Sequence, residues 1–251
     1  MSVKATRERS DIILRPAELK DVDQMATVAQ ETYATDIVSH FLCPKADQYP
    51  EDVHRRFRHR GHARHVDVRN LAIVACPASS PSTVVGLMQA TRLGDDEGAR
   101  ALVTSKPILQ RLQLRLLAWY FWATDGLIAY LWPDRTVDRE HEAEFAAMNQ
   151  TDDDRHWTSH PERQARWHVM SVAVLPKWQG QGIGTMLMRV ILERAQQDNV
   201  ICGLSASPAG EKLYRKVGFE LLGDFCKRVP GEGAERGGGI MLWTPESAEG
   251  L

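Results

Sequence analysis

The chain has 251 residues, with 31 Lys plus Arg against 33 Asp plus Glu, a formal net charge of −2, and 43% hydrophobic residues. That length and composition suit a globular chain with a sizeable core, and the near-balance of charge argues against a coat for nucleic acid or an anionic membrane. No stretch approaches the roughly 20 apolar residues of a membrane span; the richest, residues 112–132, is broken by Arg115, Asp125 and Gly126.

Residues 1–10 are polar, contain no apolar signal segment, and predict a loose tail. A short strand is expected at 11–15, stopped by Pro16. Leu19, Val22, Met25, Ala26 and Ala29 then fall near helical spacing, with acids in the first turn. Pro44 and Pro50 make 34–50 read mostly as loop, and 51–64 as a strongly polar helix. The β-rich runs 70–76 and 83–91, joined by a turn-rich link at 77–82, predict a hairpin. Residues 94–165 break the rhythm: an apolar helical stretch at 108–132, a polar helix near 137–149 and a charged run at 151–156. With no second set of strands, this part reads as an insertion or lid within one domain spanning 1–251.

The last third alternates strand and helix. Residues 167–174 form a strand in which alternation puts His168, Met170, Val172 and Val174 on one face. Ile183, Met186, Leu187, Val190 and Ile191 make one amphipathic stripe. A strand at 200–207, a helix at 211–217 stopped by Gly218, and closing strands at 219–225 and 240–243 complete a mixed sheet packed with helices. The four cysteines (Cys43, Cys76, Cys202, Cys226) have no paired spacing, which predicts a reduced, cytoplasmic protein using them as small core residues.

Between the 167–174 strand and the next helix lies a glycine-rich turn, Gln179, Gly180, Gln181, Gly182, Ile183, Gly184 and Thr185. Glycines there let the main chain approach an anion, and the first helical turn supplies N–H donors. The dinucleotide pattern GxGxxG needs a glycine at 185, which is Thr185; the triphosphate loop needs Gly-Lys, which is absent. Gln179, Gly182 and Gly184 do match Q/R-x-x-G-x-G/A directly after a strand end. On these residues the chain resembles the GNAT acetyltransferase superfamily. Leu14 to Ala17 look like that family's first strand and turn, the hairpin like its second and third strands, and Leu213 to Phe219 like its late tyrosine helix. Residues 94–165 lie outside the pattern.

The resemblance implies an α+β fold: a central mixed, mostly antiparallel sheet flanked by helices, with a helical insertion between the third and fourth strands. It also implies acetyl-CoA as co-substrate and no metal. The pantetheine arm would lie along Val172, Ala173 and Val174, the diphosphate against residues 179–185, and Ser207 beside the arm. Tyr214 would protonate the departing thiolate, unless it is simply a core aromatic. The acceptor would be a primary amine of a small molecule or peptide. Alternatives are a hydroxyl acceptor, another acyl donor, or a non-catalytic CoA-sensing module.

An alkylamine has a pKa near ~10 and must lose a proton before attack. The strand holds no carboxylate, so His168 is the candidate base, with a pKa of about 6.5 in its favour; an ordinary histidine packed beside Trp167 is the alternative. The basic run from His54 to Arg69 lacks the aromatics of a nucleic-acid patch and the ligand spacing of a metal site. It reads as a solvated helix face, or as an attractor for an acidic acceptor or the cofactor phosphates. The aromatic-rich 112–132 stretch reads as the buried side of the insertion, a lid over an apolar pocket, or a homodimer contact. Asp152 to Asp154 read as a solvent loop.

Overall fold

The computed structural model describes residues 11–233 and 237–246; the expected tail at 1–10 lies outside them. In chain order the elements are β1 (Ile12–Pro16), α1 (Val22–Tyr33), α2 (Ile37–Leu42), α3 (Pro50–Val66), β2 (Asn70–Pro77), β3 (Gly86–Leu93), α4 (Glu97–Thr104), α5 (Ile108–Leu131), α6 (Arg139–Asp153), β4 (Arg166–Val174), α7 (Ile183–Gln197), β5 (Ile201–Ala206), α8 (Pro208–Lys216), β6 (Glu220–Gly223) and β7 (Gly239–Trp243). The strands form one sheet in the order β1-β2-β3-β4-β5-β7-β6. Every neighbouring pair is antiparallel except β4 with β5, so the fold is the expected α+β arrangement with three helices between the third and fourth strands.

Apolar periodicity explains most of it. Ile183, Leu187 and Ile191 of α7 are buried and pack on Val74, Leu87 and Ala173 of the sheet, within a core that also takes Met25 and Val28 of α1. Of the stripe that the sequence marks on α7, Ile183, Leu187 and Ile191 meet the sheet, whereas Met186 is exposed and Val190 half-buried; Met188, Leu192 and Ala195 complete the buried face. No helix among the described residues is long and apolar enough to cross a membrane.

Four local expectations are corrected. Residues 34–50 are not all loop: Asp36 accepts a hydrogen bond from Ser39 N at 3.0 Å and so caps α2. The basic α3 is not a solvated face, because α5 and α6 supply its counterions. Arg56 pairs with Glu142 at 2.9 Å and His62 with Asp125 at 2.9 Å. Asp152 to Asp154 are not a solvent loop; α6 runs through Asp153, and buried Asp152 accepts from Cys226 N at 2.7 Å.

The fourth concerns α5. It is not the buried side of its region: Phe121 is its one buried residue, whereas Trp119, Trp122 and Tyr130 are 66%, 75% and 83% exposed. Helix α5 rests on α3 through a narrow strip at Phe121 and Asp125, with the Phe121 ring stacked on His62 at 4.0 Å.

Candidate active site

The sheet opens at its one parallel junction. Strands β4 and β5 pair from Arg166↔Ile201 to Val169↔Leu204 and no further. Past that point β4 continues to Val174, still paired with β3, while its other edge faces a cavity of about 1000 Å³. Leu175 N donates to Val85 O at 2.9 Å, toward β3. By the twofold period of a strand, the main-chain groups of Val174 and Val172 turn the other way, into the opening. Their carbonyls are met there by side chains: Val174 O accepts from Thr32 Oγ1 at 3.1 Å and Gln179 Nε2 at 2.9 Å, and Val172 O lies 3.3 Å from the Tyr33 hydroxyl. Ala173 is out of phase. It faces β3 opposite Leu87, its side chain is in the core, and it does not line the cavity.

The glycine turn closes the far end of this opening. Gly180 and Gly182 have φ of +73° and +85°, a region that costs an L side chain roughly 1–2 kcal/mol. A Cβ on Gly182 would meet nothing within 4 Å, so backbone conformation, not space, requires glycine there. Gly184 is glycine for another reason: its Cβ would sit 3.0 Å from Leu213 Cδ2, where α7 meets α8. Helix α7 begins at Gly182 with no side-chain cap. Its first-turn N–H groups and positive dipole end therefore face the cavity, lined here by Gly182, Ile183, Gly184 and Thr185. Gln181 is not among the lining residues; its amide donates to Lys177 O at 3.4 Å.

Two tyrosines line the same cavity. Tyr214 of α8 lies over Gly210, where a Cβ would come within 2.9 Å of the ring, and meets Phe219 edge-on at 5.9 Å. Burial pushes its phenol well above the ordinary tyrosine value, with Tyr33 adding to the effect, so it holds its proton at neutral pH. Tyr33, at the end of α1, shares a 2.8 Å hydrogen bond with Ser171 Oγ and is likewise raised by burial. Ser207 lines the cavity but also caps α8, accepting from Gly210 N at 3.3 Å.

His168 is not with them. Along β3 and β4 the register runs Gln89↔Ser171 and then Ala90↔Val169, so Met170 is an extra residue in β4. A bulge of this kind shifts the phase of alternation, and a face counted through Met170 does not join His168 to Val172 and Val174. The ring of His168 meets Trp157 edge-on at 5.8 Å, outside the cavity. Burial, with Arg166 nearby, pushes its pKa down to about 4. Its surroundings are those of a packed histidine.

The cavity wall also contains residues that no motif marked: Tyr33, Arg60, Arg64 and Gln89, and Phe145, Met148, Asn149 and Asp152 of α6. Helix α5 contributes none, so the aromatic stretch is not a lid over this pocket. The basic spacing of α3 was the one signal that could have found Arg60 and Arg64.

A family model described as an acetyltransferase (GNAT) domain matches residues 127–221, the part that carries α6, β4, the glycine turn, α7, β5 and α8. A protein named "Acetyltransferase" from Stachybotrys chartarum is 26% identical over 241 residues, covering 89% of this chain and 86% of its own length. Among solved structures, histone acetyltransferase HPA2 and related acetyltransferase from Corynebacterium glutamicum shares the fold, with TM-score 0.56, 18% identity, and 93% and 96% of the two chains covered. A GNAT family acetyltransferase from Brucella melitensis, solved in complex with acetyl-CoA, has TM-score 0.46 and 12% identity over 94% of this chain and 88% of its own.

Proposed function

The chain belongs to the GNAT acetyltransferase superfamily and is an acetyltransferase, and from that premise we propose that it moves the acetyl group of acetyl-CoA directly to a primary amine of a small molecule or peptide. The observation that carries this reading is the parting of β4 from β5 beside an uncapped glycine helix start. A strand edge left open is a template for an extended, amide-bearing chain, and bare N–H donors at a helix N-terminus suit a diphosphate. The cavity is large enough for both arm and acceptor.

In this reading acetyl-CoA supplies an activated thioester. The main chain of Val172 and Val174 lines its arm, and Gly180 to Thr185 receive the diphosphate. The side chains on Val172 O and Val174 O hold those carbonyls toward the opening before the arm arrives. Tyr214, kept protonated by burial, donates its proton to the departing thiolate. A thiol pKa of roughly 8.5 makes this a modest demand. The acceptor ammonium loses its proton to water in the open cavity, since His168 stands outside it.

A thiol-release screen over an amine panel, with acetyl-CoA and longer acyl donors, tests the proposal alongside calorimetry with CoA. Acetyl-dependent thiol release with at least one amine, together with saturable CoA uptake, is the expected result. A folded protein that takes up no CoA overturns it.

A further inference from the structure

Resting on that reading, we infer that the acceptor amine also carries an anionic group, a carboxylate, which Arg60 and Arg64 of α3 bind inside the cavity. Other basic side chains of this helix that meet α5 and α6 have carboxylate partners: Arg56 has Glu142 and Asp134, and His59 and His62 share Asp125; Arg58 has none at ion-pair distance among the described residues, but it does not line the cavity. Arg55 has Asp52 at 2.6 Å. Arg60 and Arg64, one turn apart, are the two arginines of α3 that line the cavity, and among the described residues neither has a carboxylate at ion-pair distance. The partner of Arg64 is the neutral side-chain oxygen of Gln89.

Position separates this pair from the phosphate end. Gln89 stands opposite Ser171, beside the Met170 bulge and the Tyr33 hydroxyl. The glycine turn begins only after Val174, and the intervening strand alone spans about 10 Å. The arginines thus stand at the reacting end of the opening.

Chemistry then selects the occupant. Burial holds both guanidinium pKa values below the usual range, and Arg56 and Arg64 add repulsion at Arg60. Like charges one helical turn apart destabilise each other, and a desolvated cation calls for a partner. A carboxylate accepts two parallel N–H bonds from a guanidinium fork and relieves both costs. A polyamine brings only more positive charge. Phe57, Phe145 and Met148 line the same cavity and offer it apolar surface, so the fitting acceptor is an amino carboxylate with an apolar body.

The test compares phenylalanine with phenethylamine, which differ by the carboxylate, at equal concentrations of free amine. Thiol release is measured for the wild-type chain, R60Q/R64Q and R64K, with calorimetry of acetyl-CoA binding. The wild type should favour phenylalanine by at least ~10-fold in kcat/KM. The double variant should lose that preference through KM, bind acetyl-CoA as before, and regain part of the preference when only R64K is present. Equal or better turnover of phenethylamine by the wild type overturns the inference while leaving the acetyltransferase reading intact. A preference that survives undiminished in folded R60Q/R64Q overturns it too. Absence of acetyl-CoA binding in the wild type overturns both.

Discussion

His168 is a neutral, mostly enclosed ring with a pKa near 4, against about 6.5 in an unfolded chain. Between those values the unfolded chain binds a proton that the folded one refuses, so the folded state loses stability as pH drops from 6.5 to 4. For this group the loss levels off below 4 and amounts to up to about 3 kcal/mol. Thermal melts across that window should show the slope, and His168→Phe should flatten it. Tyr214 answers to a different measurement. With its proton held by burial, Tyr214→Phe should lower kcat on the order of 100-fold with little change in acetyl-CoA affinity. Equal loss of both in steady-state and calorimetric data would remove it from the acid role.

At the scale of elements, β4 is decided by what flanks it. Its bulge at Met170 re-aims the strand between its two halves. Its N-terminal half is held by β5 and by Trp157, a buried ring that lies against Gly203 so closely that a Cβ there would come within 2.4 Å of Cη2. Neither the ring nor the strand can yield without opening the core. Gly203→Ala should therefore cost about 3 kcal/mol and lower the urea midpoint without changing the slope of the transition. Helix α7 was legible from its apolar spacing, and α8 from its Gly218 stop and basic last turn, although α8 begins at Pro208 and not at the expected 211. The bulge was not, since an inserted residue leaves no mark in an alternating apolar pattern. That is why His168 read as facing the same way as Val172. The exposure of α5 was hidden for a related reason: an apolar run reads as buried whichever of its faces finds a partner, and here only the strip at Phe121 and Asp125 does.

Taken whole, the molecule places a glycine helix start, an open strand edge and a cationic wall around one cavity. The absence of His168 from that cavity has a kinetic consequence. With water taking the proton, log kcat/KM should climb with a slope near one up to the acceptor's own amine pKa, ~10 for a simple alkylamine. A pH–rate profile would reveal a break near 4 if His168 were the base after all, and that break would have to vanish in His168→Phe. Apart from α2 and α4, sequence alone determined the strand and helix order, the glycine turn and the Tyr214 helix. These rest on local periodicity and on backbone conformations that only glycine accepts, both written in neighbouring residues. Tertiary structure alone decided which face of β4 meets the cavity, where β4 leaves β5, and which arginines of α3 lack counterions. Those depend on register, packing and charge pairing between segments far apart in the chain, and no window of adjacent residues contains them.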